Sequence, residues 1–456
     1  MCALAVLAAG APASAQSQQP RGGPFTGLFR GSPKDQPHTL DIRASGFTAW
    51  DDNLSAQVPG AGGDFGFDPR NVKKGLANGF QSSLAYGFRH SGVRSQFSVG
   101  ADANVQEFAS DLGGDPMWFY GYNLFTGLTT KVTNKTSFTI GAGSAYAPYY
   151  QYAPFLKSTT SEESPVGADY GFALASQLVL TNNVTAAVEN RFSKKSSISG
   201  GVAWDQRVIP ETPDASIDMR SARVMFSHSL TRKLGFHVGY SLQEARYAQG
   251  EPVRSNNMDI GLGYGDGLTL SLSRHTTLRL SAGVSIARNG DPALVVATGK
   301  STALAVEGGA TLSQSIGRAW GASLGYVRTT SYLVGFVEPM MTDSANAGIS
   351  GPIFERLQFS AGAGASRGQP LFSASNGHVI TYTASTRLTY ALFSHLGLYG
   401  QASYYRYSIP LDFLNFAFVP KLDRRSVSVG LNTWIPLIKP RRERRDPVDQ
   451  TTTGQP

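Results

Sequence analysis

Apolar residues recur at every second position over long stretches of this chain. In "NNMDIGLGYGDGLTLSLSRHTTLRLSAGVSIARN", residues 256–289, the residues Met258, Ile260, Leu262, Tyr264, Leu268, Leu270 and Leu272 share one parity. Gly261, Gly263, Gly265, Thr269, Ser271 and Ser273 hold the other. After "RHTT" the pattern restarts, with Leu278, Leu280, Ala282, Val284 and Ile286 on one side and Arg279, Ser281, Gly283 and Ser285 on the other. Side chains alternate faces along a strand, so the segment predicts a hairpin with one apolar surface. Its first limb is expected to be extended over about 16 residues, against roughly 5–6 for globular strands. The polar face is Gly, Ser and Thr, with little of the Lys and Glu that a water-facing sheet carries. A tilted membrane strand needs roughly 9–11 residues in hydrocarbon. The expectation is that Met258 through Leu272 face lipid, while Asp259, Thr269 and Arg279 face a lumen.

The pattern repeats along the chain. "SLAYGFRHSGVRSQFSVGAD", "LFTGLTTKVTNKTSFTIGAGSAY", "VTAAVENRFSKKSSISGGVAW", "SARVMFSHSLTRKLGFHVGYSL", "LSQSIGRAWGASLGY", "GISGPIFERLQFSAGAGAS" and "STRLTYALFSHLGLYGQASYY" each set a short turn between two alternating limbs. The turns fall near positions 91, 133, 195, 232, 275, 317, 354 and 394, often about 40 residues apart, a hairpin repeat. The connections on the other side are longer and richer in Pro, Gly and Asp, as in "DDNLSAQVPGAGGDFGFDPRNVKKG" and "QYAPFLKSTTSEESPVG". Short turns on one rim and long loops on the other are the asymmetry of outer-membrane barrels, with the long loops outside the cell.

Eight hairpins contribute sixteen strands, and 39–50 and 424–437 add one at each end. The expected fold is all-β, a single closed antiparallel transmembrane β-barrel of about 18 strands over residues 38–437. Sixteen or twenty strands also fit, because "DYGFALASQLVLT" reads as a strand, a plug-like loop or the start of the next strand. An even number keeps both termini on the short-turn side, and closure removes the exposed edges of so large a sheet. A β-propeller shares the 40-residue repeat, but each blade needs four short strands where each repeat here supplies two long ones.

Composition supports this reading. Charged residues are 16%, below the roughly 25% of soluble proteins, and the 51 Gly exceed the usual share. No stretch of 18 residues is continuously apolar, which disfavours membrane helices but not strands. "MCALAVLAAGAPASAQ" looks like the h-region and cleavage site of a secretory signal peptide, residues 1–15, with no basic n-region before it. A flexible segment is expected over 16–37, and a charged, disordered periplasmic tail over 438–456. Cys2 is the only cysteine, which excludes an internal disulfide and a multi-Cys zinc site. The net charge of +8 is scattered apart from "KPRRERR", which lacks aromatic platforms, so nucleic acid is not an expected partner.

The turns "RHTTLRLSAG", "FSKKSSISGG" and "LTRKLGFHVGY" resemble those of Gram-negative porin-like outer-membrane β-barrels, and within them a poorly characterised group of large barrels. The resemblance covers about residues 38–437 and is mainly architectural. It implies location in the outer membrane, lipid around the wall and insertion by the barrel-assembly machinery. In the last strand, "SVSVGLNTWIPL", Ser428, Gly430 and Ile435 resemble the pattern that machinery recognises. The chain departs from the pattern by continuing through Pro436 to Pro456, and the tail suggests a periplasmic partner. Some similar barrels are linked to cell-envelope polysaccharide systems.

With the apolar parity toward lipid, Asp41, Arg43, Arg94, Glu189, Arg191, Asp205, Arg223, His237, Asp259, Arg279, Glu307 and Arg387 are the candidate lumen-facing residues. They form either polar filling or a selectivity screen. Loops 51–79 and 151–168 are candidates to narrow the lumen. Trp118, Phe119, Tyr120, Tyr149, Tyr150, Tyr404, Tyr405, Tyr407 and Trp434 lie near strand ends and suit interfacial girdles. No nucleophile elbow, zinc motif or phosphate cradle is present. His90, His228, His275 and His395 fall at or near turns. No enzyme activity and no cofactor are expected. The two functional readings are a passive outer-membrane channel for small polar solutes or saccharides and a plugged structural or secretion-associated barrel. Oligomeric state is not legible.

Overall fold

The computed structural model describes residues 38–52, 75–88, 94–110, 117–148, 178–208, 210, 216–230, 235–247, 252–262, 268–271, 275–289, 295–296, 299–317, 319–331, 338–372, 377–393, 395–408 and 421–438. The segments expected to be a signal peptide and a flexible lead-in, almost all of the tail, and the bulk of both candidate loops lie outside them. Among the described residues no helix is long and apolar enough to cross a membrane.

The first half contributes β1 (His38–Asp51), β2 (Gly75–Phe88), β3 (Ser95–Ser110), β4 (Met117–Lys131), β5 (Thr136–Pro148), β6 (Leu178–Asn190), β7 (Ser196–Val208), β8 (Ile217–Ser229) and β9 (Gly235–Tyr247). The second half contributes β10 (Val253–Leu262), β11 (Leu268–Ser271), β12 (Thr276–Arg288), β13 (Thr302–Ile316), β14 (Trp320–Ser331), β15 (Met340–Phe354), β16 (Leu357–Pro370), β17 (Val379–Phe393), β18 (Leu396–Ser408) and β19 (Lys421–Pro436). Most are 13–16 residues long. At about 3.4 Å per residue such a strand is long enough to cross hydrocarbon at a tilt.

Every pairing is antiparallel and between consecutive strands, except β10–β12, which passes over the short β11, and β1–β19. β1 pairs with β2 on one edge and with β19 on the other, so the run of pairings returns to its first strand. Among the described strands β11 alone pairs on one edge only, with β12, and the sheet presents an inner and an outer face.

The strand count departs from the expected 18: nineteen segments are described. The long limb that opened the sequence reading is broken. β10 pairs with β12 up to Asp259↔Gly283, and β11 resumes on the same strand at Leu268↔Leu280. Between these two pairs the chain has eight residues, 260–267, on one side and two, Ser281 and Ala282, on the other, an excess of six. The described residues of the stretch 167–194, which left three readings open, contribute one strand, β6.

Burial runs opposite to that of a water-soluble protein. Val202, Val224, Met258, Ile260, Leu304 and Val306 are exposed by 53–69%. On the alternate parity of the same sheet, Asp205, His237, Asn257, Ser285, Thr342 and Ser344 are buried. Apolar side chains thus cover the outside and polar ones the inside. Aromatics concentrate at both edges of the outer face. Trp118 and Tyr120 are 61% exposed near the long-loop ends of their strand. Near the short-turn ends, Phe192, Phe226 and Phe236 cluster, and Trp320 meets Phe359 with ring centroids 6.1 Å apart. The girdle expected from sequence is thinner than its nine residues: Tyr405 points inward, Trp434 shares the inner parity, and Tyr149 and Tyr150 lie outside the described residues.

Candidate functional site: the inner face

The inner face is built by whichever parity carries Ser, Thr, Asn and Gly, and its chemistry changes around the ring. Across β10 and β12, directly opposed Asn257 and Ser285 meet: the Ser285 hydroxyl donates to Asn257 Oδ1 at 2.5 Å, and Ser255 donates to the same oxygen at 2.7 Å. Further round, Thr342 donates to the Thr329 carbonyl at 3.0 Å, and Ser366 and Thr381 are hydrogen-bonded. These are neutral groups satisfied by one another, as buried polar atoms must be.

Charges occur mostly as local pairs. Arg207 Nε lies 2.9 Å from Asp205 Oδ1, with both side chains almost wholly buried. Arg424 Nε and Nη2 lie 2.6 and 2.5 Å from Asp51 Oδ2, again fully buried. Beside that pair, the Arg425 backbone N–H donates to Asp52 Oδ1 at 2.7 Å, and the Asp52 N–H donates to the Arg425 carbonyl at 3.1 Å. Arg387 stacks over the Tyr399 ring at 4.0 Å, a cation–π contact strengthened by desolvation. Glu307 and Glu338 accept backbone N–H groups of Thr330 and Phe372 at 3.0 and 2.8 Å.

Toward the long-loop end the inner face turns apolar. Val179, Ile217, Met219, Ala245, Val253, Ala287 and Phe372 form one buried cluster, with Ala303 and Leu371 packed against it. Apart from Phe372 and Leu371, they come from the long-loop ends of β6, β8, β9, β10, β12 and β13. The inner wall on this side thus gains apolar side chains toward the long-loop end, set around the buried Asp205–Arg207 pair, with Arg207 opposite Ile217 and Asp205 opposite Met219.

Asp205, His237 and Arg387 are buried on the inner face, and Glu189, Arg223 and Glu307 sit there half-buried. Arg223 Nη2 approaches Met225 Sδ at 3.6 Å. Arg43 is half-buried on β1. Asp41, Asp259 and Arg279 are on β1, β10 and β12. Two placements need correction. Arg94 precedes β3 and is exposed at the short-turn edge. Arg191 lies just beyond β6, 62% exposed, and reaches back to Glu189 at 2.7 Å. Both strands end a residue or so short of where parity alone carried them. Asp259 and Glu307 share one level, since both are opposite Gly283 from its two sides. Arg279 is four positions along the ladder, opposite Thr311.

Sequence reasoning missed Asp51, Arg207, Tyr399 and Arg424. Arg207 and Arg424 were visible as inward-parity charges; Asp51 needed the strand β1 to run one residue beyond the expected 39–50. On β19, Ser428 is buried inward and Ile435 is exposed outward. Gly430 has a packing reason to be glycine: a Cβ there would stand 2.7 Å from the Tyr399 ring and 2.5 Å from the Gly46 carbonyl oxygen. Among the described residues no group of three His, Cys, Asp or Glu could hold a metal ion.

No family model and no curated protein matches the chain. Among solved structures it is similar to Pseudomonas aeruginosa OpdQ, at 12% identity and a TM-score of 0.43 over 88% of this chain and 100% of that one. It is similar to P. aeruginosa OccK2 (OpdF) in complex with glucuronate, at 9% identity and a TM-score of 0.43, over 88% and 98%. The OmpT loop L8 deletion mutant, an outer membrane protein of Vibrio cholerae, is 10% identical with a TM-score of 0.34, over 88% and 100%.

Proposed function

We propose that the chain is a transmembrane β-barrel of a Gram-negative outer membrane that passes small polar solutes or saccharides. What supports an eighteen-position wall is that β1 pairs with both β2 and β19, and that β10 and β11 share one position against β12. The observation that carries the reading is the inverted burial: apolar side chains outside, hydrogen-bonded Ser, Thr and Asn inside. Such a surface is soluble in lipid and not in water, and an inner face of neutral hydroxyls and amides suits uncharged polar cargo better than ions. Paired Asp205–Arg207 and Asp51–Arg424 leave little net field to sort by charge. Ser428, Gly430 and Ile435 on the last strand would then serve insertion by the barrel-assembly machinery.

The rival, a plugged structural or secretion-associated barrel, has one observation of its own. Many inner side chains, on β7 through β19 and at the end of β1, are withdrawn from solvent, and the apolar cluster lies toward the long-loop end of one half. In the channel reading this half is a constriction, so conductance is small. Planar bilayers with the purified full chain test the choice: step-like currents and uptake of neutral sugars into vesicles are expected. A folded barrel that passes neither current nor sugar, and that co-purifies with a periplasmic protein, would establish the rival.

A further inference from the structure

The outer face carries charge that neither an apolar wall nor a channel needs. On β8, β9, β10 and β12, Arg220, Arg246, Arg254 and Arg288 occupy the outward parity near the long-loop ends. The positions below them toward mid-strand are Val224, Leu242, Met258 and Ile286, all exposed. The arginines therefore stand where an apolar band gives way to the rim. Register sets them side by side: Arg220 is opposite Glu244, Glu244 opposite Arg254, and Arg254 opposite Arg288.

Four guanidiniums face two carboxylates. Arg220 Nε lies 3.2 Å from Asp218, while Arg254 Nε and Arg246 Nη2 lie 2.9 and 4.0 Å from Glu244. Arg288 has no ion pair among the described residues. Arg254 and Arg288 are direct cross-strand partners of like charge, an arrangement that is unfavourable unless an anion bridges it. The guanidiniums of Arg220, Arg246 and Arg254 remain 59–67% exposed, so they are free to engage a ligand from the outside.

We propose that this arc binds the phosphate groups of anionic lipids in the leaflet on the long-loop side, a proposal that rests on the membrane-barrel reading above. Guanidinium offers planar paired donors that match phosphate oxygens, and Arg rather than Lys fills every position of the arc. The same excess recurs across the ring, where Arg328, Arg367, Arg406 and Arg425 face outward with Asp343 and Asp423. Two arcs, on β8–β12 and on β14–β19, fit a surrounding lipid leaflet, whereas a protein partner would need one patch.

The test uses the full chain folded into neutral phosphatidylcholine vesicles, then native mass spectrometry with bisphosphorylated lipid A and its dephosphorylated counterpart. The wild type should retain the phosphorylated lipid selectively. R220Q/R254Q/R288Q should lose about tenfold in retention, while K135Q/K194Q/K195Q at the short-turn edge should not. Migration of the unheated band on a gel confirms that both variants are folded. Equal retention by wild type and the arginine variant, or indifference to dephosphorylation, overturns the proposal while leaving an inserted barrel. Displacement by millimolar inorganic phosphate alone would assign the arc to soluble anions and overturn the lipid commitment. Failure of the wild type to insert into neutral vesicles would overturn the barrel reading, and the arcs with it.

Discussion

Two places in the wall bring together chain segments under opposite circumstances. At β1/β19 the partners are far apart in sequence, yet eleven residue pairs run without a shift from Asp41↔Pro436 to Asp51↔Ser426. At β10–β11/β12 the partners are joined by one short turn, yet the ladder is interrupted and six residues are in excess. Proximity in the chain is therefore not what determines continuity of the wall. The seam is fixed from its long-loop end by the buried Asp51–Arg424 pair and the adjoining Asp52–Arg425 backbone bonds. It is fixed along its length by Gly430, which admits the Tyr399 ring. A hairpin closed by a local turn holds its register without such devices and tolerates an insertion.

Breaking the seam should have the largest effect. Arg424→Leu leaves the Asp51 carboxylate buried without its cation and should cost about 3–5 kcal/mol, read as a lower denaturant midpoint of the vesicle-folded protein. Next comes Gly430→Val, whose methyls must displace the Tyr399 ring, at about 1–3 kcal/mol by the same measurement. The double variant Asp51→Leu/Arg424→Leu removes both charges and should stay within about 1 kcal/mol of the parent. Were it as damaged as Arg424→Leu alone, the pair itself, and not the stranded carboxylate, would be what secures the seam. The smallest effect belongs to the interrupted wall. Deleting six residues within 260–267 should leave the midpoint within about 1 kcal/mol, with the strand content by circular dichroism retained. A large loss there would show that the excess residues are part of the wall's support.

This comparison also explains which features were legible. Strand existence, the short turns and the long connections follow from two-residue alternation, and β1 and β19 begin and end within a few residues of their expected places. The break between β10 and β11 was invisible for a simple reason. Six is an even number, so Leu268 and Leu270 keep the parity of Met258 and Ile260 across the insertion, and the pattern reads straight through it. Asp51 and Arg424 are separated by 373 positions, and only the return of the ladder to its first strand brings them within reach. Arg94 and Arg191 went to the edge because alternation carries no information about where a ladder stops. The apolar cluster of the inner face was hidden too: Ile217, Val253 and Ala287 sit on the polar parity, where three scattered residues on different strands look like noise until the ring aligns them.

At the short-turn edge of the seam, the Leu437 N–H donates to the Leu40 carbonyl at 2.7 Å. The wall's entrance and exit are thus neighbours, and where the chain is opened is a matter of genetics more than of architecture. A circularly permuted gene, with a short linker joining 438 to 38 and new ends placed in the 290–298 connection, would preserve every ladder. In such a protein today's seam would become an ordinary hairpin, and the Asp51–Arg424 lock would be guarding a junction that no longer needs it.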